Sequence, residues 1–329
     1  FQPSEIAKMA TIATVAYILS KLQNEGKSAN PKAFKYILCV TGVSCALIFT
    51  ENLSTALLLA ISVFGMMIIG RIPWKQVGIL CCACLAAVSV GVITLESVPA
   101  KTWRTIHIER PITWKSRIDK FFDNTYIPPK KYDIDTNGQR GHANIAIANS
   151  HLLGRGPGNS VQRDFLSQAY SDFIFAIIIE ELGLIPAAFI AMLYVFLLIR
   201  IAKIANKSDK YYSTFLIMGI GFLITTQALF NMLVAVDIMP ITGQPLPFIS
   251  KGGTSTLVNC AYIGIILGIS RHVNELSLKR QQEEEEKQRQ IQEAAEAILL
   301  NAAANLNTPV PANEDSETSL PKSDTESIG

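Results

Sequence analysis

Seven apolar stretches, set apart by polar breaks, organise the first 272 residues. They are Ile6–Leu22, two within Tyr36–Gly70, then Val77–Leu95, Phe173–Ile199, Tyr211–Val236 and Thr254–Ser270. A bilayer core of about 30 Å takes about 20 apolar residues per helix, so each stretch reads as one transmembrane span. Tyr36–Gly70 is too long for one helix and is interrupted only by Glu51-Asn52, which predicts a tight hairpin. Phe173–Ile199 reads as one continuous span in spite of Glu180 and Glu181. The pattern predicts an all-α, polytopic transmembrane helical bundle over residues 1–272. The tail differs. Residues 273–306 are rich in Glu, Gln, Arg and Ala, with Glu283/Lys287 and Glu285/Arg289 at the spacing that stabilises a solvated cytoplasmic helix. Residues 307–329 are dominated by Pro, Ser, Thr, Asp and Glu and read as disordered.

Lysine and arginine in the short loops set the orientation. Lys21, Lys27, Lys32 and Lys35 follow the first span, Arg71 and Lys75 the third, and Arg200, Lys203, Lys207 and Lys210 the fifth. The intervening connections are poor in them, so the basic loops and the tail face the cytoplasm. Seven spans then put Phe1 outside, and a protein that starts in the cytoplasm would have an odd number of further spans before it. Two elements lie outside as well. The periplasmic loop 96–171 holds 11 basic and 7 acidic residues. The connection 240–253, Pro-Ile-Thr-Gly-Gln-Pro-Leu-Pro-Phe-Ile-Ser-Lys-Gly-Gly, has three prolines and three glycines, which exclude a regular helix. Irregular backbone at membrane depth survives only against protein or a wet cavity, so this segment is expected to be partly re-entrant and to line a cleft.

Composition agrees. Charged residues make up 17% of the chain, against roughly 25% in soluble domains. The net charge of +2 hides a tail of net −6 beyond residue 270. All six cysteines fall in apolar segments, where thiols act as small hydrophobes and not as a disulfide framework. The four histidines show no ligand spacing, and nothing in the chain indicates nucleic-acid binding.

Ionisable residues inside spans are costly and mark candidate chemistry. Glu5 and Lys8 are three apart, on one helical face, after a Gln2-Pro3-Ser4 helix start. They read either as a functional pair or as an interface anchor that snorkels to water. Asp172, at the outer boundary of the fifth span, is either a functional carboxylate or an acid complementing a helix dipole. Glu180 and Glu181, two to three turns deeper, are either catalytic or bonded to a neighbouring helix. The glycines of Gly154-Arg-Gly-Pro-Gly158 allow close backbone approach to a ligand or to the bilayer surface. They lack the ending of a nucleotide-binding loop. Loop arginines such as Arg117 suit phosphate or anionic headgroups equally.

Four ordered blocks carry a resemblance that covers residues 1 to about 272. Gln2-Pro-Ser-Glu-Ile-Ala-Lys8, Gly154-Arg-Gly-Pro-Gly-Asn-Ser160, Ser171-Asp-Phe-Ile-Phe175 with Glu180-Glu-Leu-Gly183, and Pro240 through Ser255 resemble signatures of the SEDS family (shape, elongation, division and sporulation). Gln227 to Val236, with Asn231, is more similar to its division branch than to its elongation branch. Departures mark a lineage variant. Ser167-Gln168 replaces the usual Pro-Glu, and Ser250-Lys-Gly-Gly-Thr-Ser255 stands where the family has a tyrosine after the serine.

The resemblance implies ten spans, of which seven are present here. It implies a peptidoglycan glycosyltransferase that polymerises lipid II, with a class B penicillin-binding protein transpeptidase and other divisome proteins as partners. The place implied is the bacterial inner membrane, among membrane lipid, at the division septum. Asp172 matches the family's essential outer carboxylate, and Glu5 and Lys8 match functional positions. The expected catalytic residue is Asp172, as general base or as holder of a divalent cation (Mg or Mn). The expected substrate-binding residues are Glu5, Lys8, Arg117, Gly154, Gly156, Gly158, Ser250, Gly252 and Gly253. Two other readings stay open. A lipid II flippase would use Glu180 and Glu181 along a path across the membrane. A non-catalytic divisome scaffold would use the tail as its interaction surface.

Overall fold

The computed structural model describes residues 2–23, 29–97, 134–166 and 169–306, with position 115 alone between the second and third stretches. Nine helices form along the described chain: α1 Pro3–Lys21, α2 Pro31–Phe49, α3 Leu53–Ile69, α4 Trp74–Ser97, α5 Ile134–Ala148, α6 Ile174–Leu182, α7 Leu184–Lys207, α8 Tyr211–Ala235 and α9 Gly253–Leu306. A 3₁₀ turn, Gln162–Asp164, lies between α5 and α6. The described residues contain no strand. Five helices are long and apolar enough to cross a membrane by length and composition: α2, α4 over Trp74–Gly91, α7, α8 and α9. The apolar α3 has 17 residues, and the 19-residue α1 includes Glu5 and Lys8. The chain is a multi-pass membrane protein.

Local chemistry explains the helix starts. Pro3 and Pro31 open α1 and α2, where their missing N–H groups cost nothing. Asn30 caps α2 by accepting from the Lys32 N–H, and Asn52 caps α3 by accepting from those of Ser54 and Thr55. Asn52 also makes the predicted α2–α3 hairpin.

The fifth span departs from the expectation of a continuous helix. It breaks at Gly183, whose φ of 92° and ψ of 178° lie outside helical space. The break yields α6 and α7, and Pro186 sits in the first turn of α7. The stretch 96–171 also contains α5, an element the apolar pattern did not mark.

The bundle is built around α8, which touches α7, α1, α3, α6 and α5. Sixteen of its residues are buried. Small residues set the spacing. A Cβ on Gly219 of α8 would fall 2.6 Å from Met66 Sδ of α3 and 2.7 Å from Ile12 Cγ2 of α1, so only glycine lets the three helices meet there. Many large apolar side chains are left exposed on α2, α4 and α7, among them Leu47, Leu85, Phe189 and Phe196. That is the surface a lipid-facing helix requires.

The chain divides into two compact units, Phe1–Val273 and Asn274–Gly329. In the second, the described helical residues 274–299 are exposed on nearly every side, including Ile291, Ile298 and Leu299.

Candidate active site

The structure gathers three irregular segments at one end of the bundle, where α1, α3 and α9 begin and α8 ends. These are the turn before α6, the segment 240–252 and the glycine loop 152–162.

Asp172 sits in the first, half-buried. Ser171 Oγ donates to Asp172 Oδ1 at 2.8 Å. The Asp172 backbone carbonyl accepts from Asn231 Nδ2 of α8 at 2.8 Å. Gly243, with φ of 69°, lies beside the other carboxylate oxygen, since a Cβ there would be 3.6 Å from Oδ2. A left-handed glycine thus lets segment 240–252 pass close to the carboxylate.

The proline-rich segment makes few backbone hydrogen bonds of its own, so its polar groups need outside partners. Side chains supply them. Asn231 Nδ2 also donates to the Gln244 carbonyl at 2.8 Å, and Gln227 Nε2 to that of Pro245 at 3.0 Å. Gln244 Nε2 donates to Thr55 Oγ1 of α3 at 2.9 Å, and the Tyr194 hydroxyl of α7 donates to the Pro247 carbonyl. Ser250 Oγ accepts from the Leu246 N–H at 2.7 Å and donates to the Ser171 carbonyl at 2.6 Å. The Lys251 N–H donates to the Tyr170 carbonyl at 2.8 Å. Ser250 therefore joins the segment directly to the Asp172 turn. Gly252 caps α9 with its carbonyl, which accepts from the Thr256 N–H at 3.0 Å. Gly253 opens that helix with space where a Cβ would be.

Glu5 and Lys8 lie on α1 at the same end. Lys8 Nζ donates to Glu5 Oε1 at 2.7 Å, and the side chains are 0% and 4% exposed. They form a buried ion pair, not a snorkelling anchor.

The glycine loop docks on the chain itself. A Cβ on Gly154 would sit 2.5 Å from the Gly183 nitrogen, and a Cβ on Gly183 2.5 Å from the Gly154 nitrogen. Two glycines with positive φ are therefore pressed back to back. The Arg155 and Gly156 N–H groups donate to the carbonyls of Glu180 and Glu181 at 3.0 and 2.8 Å. Glu180 is wholly buried and accepts from Ser160 Oγ at 2.5 Å and from the N–H groups of Val161 and Gln162 at 3.3 Å. Glu181 accepts from the Gly158 N–H at 3.0 Å. The close approach that Gly154 and Gly156 permit is to the end of α6, and Gly158 serves Glu181.

The helix α5 closes over this region. His142 Nδ1 meets Gln162 Oε1 at 2.7 Å while its ring stacks on Phe165. Arg140 and Asn144, one turn apart, both bind Asp237 at the end of α8.

Arg117, Ser167 and Gln168 lie outside the described residues. Sequence reasoning singled out no role for Asn231, Gln227, Gln244, Thr55, Ser171 or Ser160. One signal was available: Gln227 and Asn231 are carboxamides at i,i+4 in an otherwise apolar helix. No group of three or more His, Cys, Asp or Glu able to hold a metal occurs among the described residues.

Comparison with known proteins places this arrangement. Residues 1–275 match the model of the FtsW, RodA and SpoVE family, described as cell cycle protein. The chain is 30% identical over 280 residues to a probable peptidoglycan glycosyltransferase FtsW of Haemophilus influenzae, covering 84% of this chain and 66% of that protein. It is likewise 30% identical over 283 residues to that of Enterococcus hirae, covering 84% and 67%. It spans about two thirds of the length of these relatives. One solved chain, from work on coordination of polymerization and crosslinking by a peptidoglycan synthase complex, superposes with a TM-score of 0.59. It is 21% identical, with 82% of this chain and 70% of that one covered. A variant of the Thermus thermophilus rod shape determining protein RodA gives a TM-score of 0.52 at 18% identity, over 82% and 66%. These structures share the fold. With the family model matching most of its length, the chain belongs to the FtsW, RodA and SpoVE family of cell cycle proteins, the SEDS family.

Proposed function

We propose that the chain belongs to a peptidoglycan glycosyltransferase that polymerises lipid II into glycan strands for septal wall synthesis in the inner membrane. The observation that carries the reading is the Asp172 turn, stitched by Ser250 and Asn231 to segment 240–252 at the outer end of a multi-pass bundle. The relatives named as glycosyltransferases support it. Lipid II has its sugar outside and its polyprenyl chain in the leaflet, so its reacting carbon reaches protein only at such a rim.

The step joins the 4-hydroxyl of one disaccharide to the anomeric carbon of another. A C–O bond forms there as the bond to the lipid pyrophosphate breaks, and the pyrophosphate leaves with the electron pair. The hydroxyl proton passes to the Asp172 carboxylate, general-base help worth typically 10²–10⁴-fold. Ser171 Oγ holds Oδ1 of that carboxylate, and Gly243 lies beside Oδ2. Lys8, buried against Glu5, and Arg117 offset pyrophosphate charge. A divalent cation such as Mg or Mn fits a single carboxylate combined with substrate phosphate oxygens. In place of acting as base, Asp172 would hold it, and it would neutralise leaving-group charge. A class B penicillin-binding protein is the proposed crosslinking partner, with other divisome proteins around it.

The transporter reading needs Glu180 and Glu181 free along a path, whereas both carry loop donors. Asp172→Ala in the full-length protein is expected to insert and fold but to make no glycan from purified lipid II. Substantial glycan from that variant would overturn the assignment.

A further inference from the structure

We infer that Asn231 is the positioning residue for Asp172, holding the turn that carries the carboxylate in register with segment 240–252. The inference rests on the polymerase reading for its catalytic consequence, but the positioning itself is geometric.

Asn231 lies on α8, the central helix, and is 1% exposed. Its Nδ2 has two hydrogens. One goes to the Asp172 carbonyl and one to the Gln244 carbonyl, both at 2.8 Å. These carbonyls belong to segments 72 residues apart in the chain, so one side-chain nitrogen pins both to the same helix. Among the described residues, its Oδ1 meets no donor. Reversing the amide would set that oxygen against two carbonyls, so the orientation is fixed. A side chain kept only to fill space would leave no buried acceptor unpaired. Here the donor end alone is used, and it is used on the residue that carries the carboxylate.

The surrounding contacts show why one bond matters. Asp172 precedes α6 and lies outside its hydrogen-bond ladder. Its turn is held by Ser250 through the Ser171 carbonyl, by the Lys251 N–H through the Tyr170 carbonyl, and by Asn231, whose bond is to Asp172 itself. Segment 240–252 keeps its bonds to Gln227, Tyr194 and Thr55 when Asn231 is replaced. Removing Asn231 therefore loosens the Asp172 turn more than the segment. Small misplacements of a reacting group cost on the order of 10²-fold in rate.

The test uses the full-length protein in proteoliposomes. Asn231→Leu is close in size and removes the donors together with the unpaired acceptor. It is expected to lower kcat on lipid II on the order of 10²-fold with KM little changed. Gln227→Leu removes a comparable bond to segment 240–252 without touching the Asp172 turn, and its loss in kcat is expected to be far smaller. Asn231→Gln, which keeps the amide, should recover part of the rate. A second readout is independent of catalysis: the thiol introduced by Asp172→Cys should react several-fold faster with a membrane-impermeant maleimide when Asn231→Leu is added. Equal thiol rates with and without Asn231→Leu would overturn the inference, as would equal losses from the Asn231 and Gln227 variants. If the parent protein makes no polymer, the polymerase reading fails, and the thiol rates still decide the role of Asn231.

Discussion

Glu5 and Glu180 are both buried carboxylates in the same bundle, and they are satisfied in opposite ways. Glu180 receives a hydroxyl and two backbone N–H groups from residues about 20 positions away, so it fastens a loop to a helix. Its value is geometric: neutral donors make its hydrogen bonds, and the Arg155 guanidinium stands 4.0 Å from Oε1. Glu5 receives an ammonium from Lys8, one turn along the same helix. That bond joins no two parts of the fold. It buries two charges whose desolvation costs several kcal/mol and often cancels their attraction. In the polymerase proposal this pair, closed within one helix, has a part in offsetting substrate charge. A carboxylate tied by a distant loop is best explained by the loop.

Four substitutions break or sharpen that contrast. The largest effect is expected from Lys8→Met, which leaves Glu5 buried without its cation and should destabilise the protein by about 3–5 kcal/mol. Adding Glu5→Gln to it should restore most of the melting temperature in detergent without restoring glycan synthesis. Recovery of both would show the pair to be structural. Next comes Glu180→Leu, which strands the Ser160 hydroxyl and two N–H groups at a cost of about 2–3 kcal/mol. Limited proteolysis should then nick residues 152–165, and an unchanged digestion pattern would refute the fastening role. Smallest is Ser160→Ala, expected to cost about 1 kcal/mol with catalysis near parental, as a modest drop in melting temperature would report.

The structure and the sequence reading agree most where the physics is local. The hairpin at Glu51-Asn52 was legible because a polar break divides a run too long for one helix, and Asn52 is a strong cap. The irregularity of 240–253 was legible because proline cannot sustain a helix. The break at Gly183 was not. It lies inside an apolar run, so the pattern has no polar mark there, and Gly183 and Pro186 alone hinted at it. The helix α5 was missed because its sequence, Ile-Asp-Thr-Asn-Gly-Gln-Arg-Gly-His-Ala, has no long apolar run.

At the candidate site, Asp172, Glu5 and Lys8 stood out as charges at the edges of apolar segments. The glycine loop stood out as well, but its partner did not. Backbone as bare as Gly154–Gly158 can approach a ligand, a membrane or its own chain, and spacing does not distinguish them. Asn231 and Gln227 were visible as polar residues in a span, but a carboxamide gains meaning only from the carbonyls opposite it.

From the sequence alone came the multi-span helical class, the family and the charges worth testing, because hydropathy, charge and motif order are one-dimensional properties. The tertiary structure decided which groups satisfy one another. It pressed Gly154 against Gly183, gave Glu180 to the loop, and set Asn231 between two segments 72 residues apart. Hydrogen bonding acts over about 3 Å, and only the folded chain brings such distant residues within that reach.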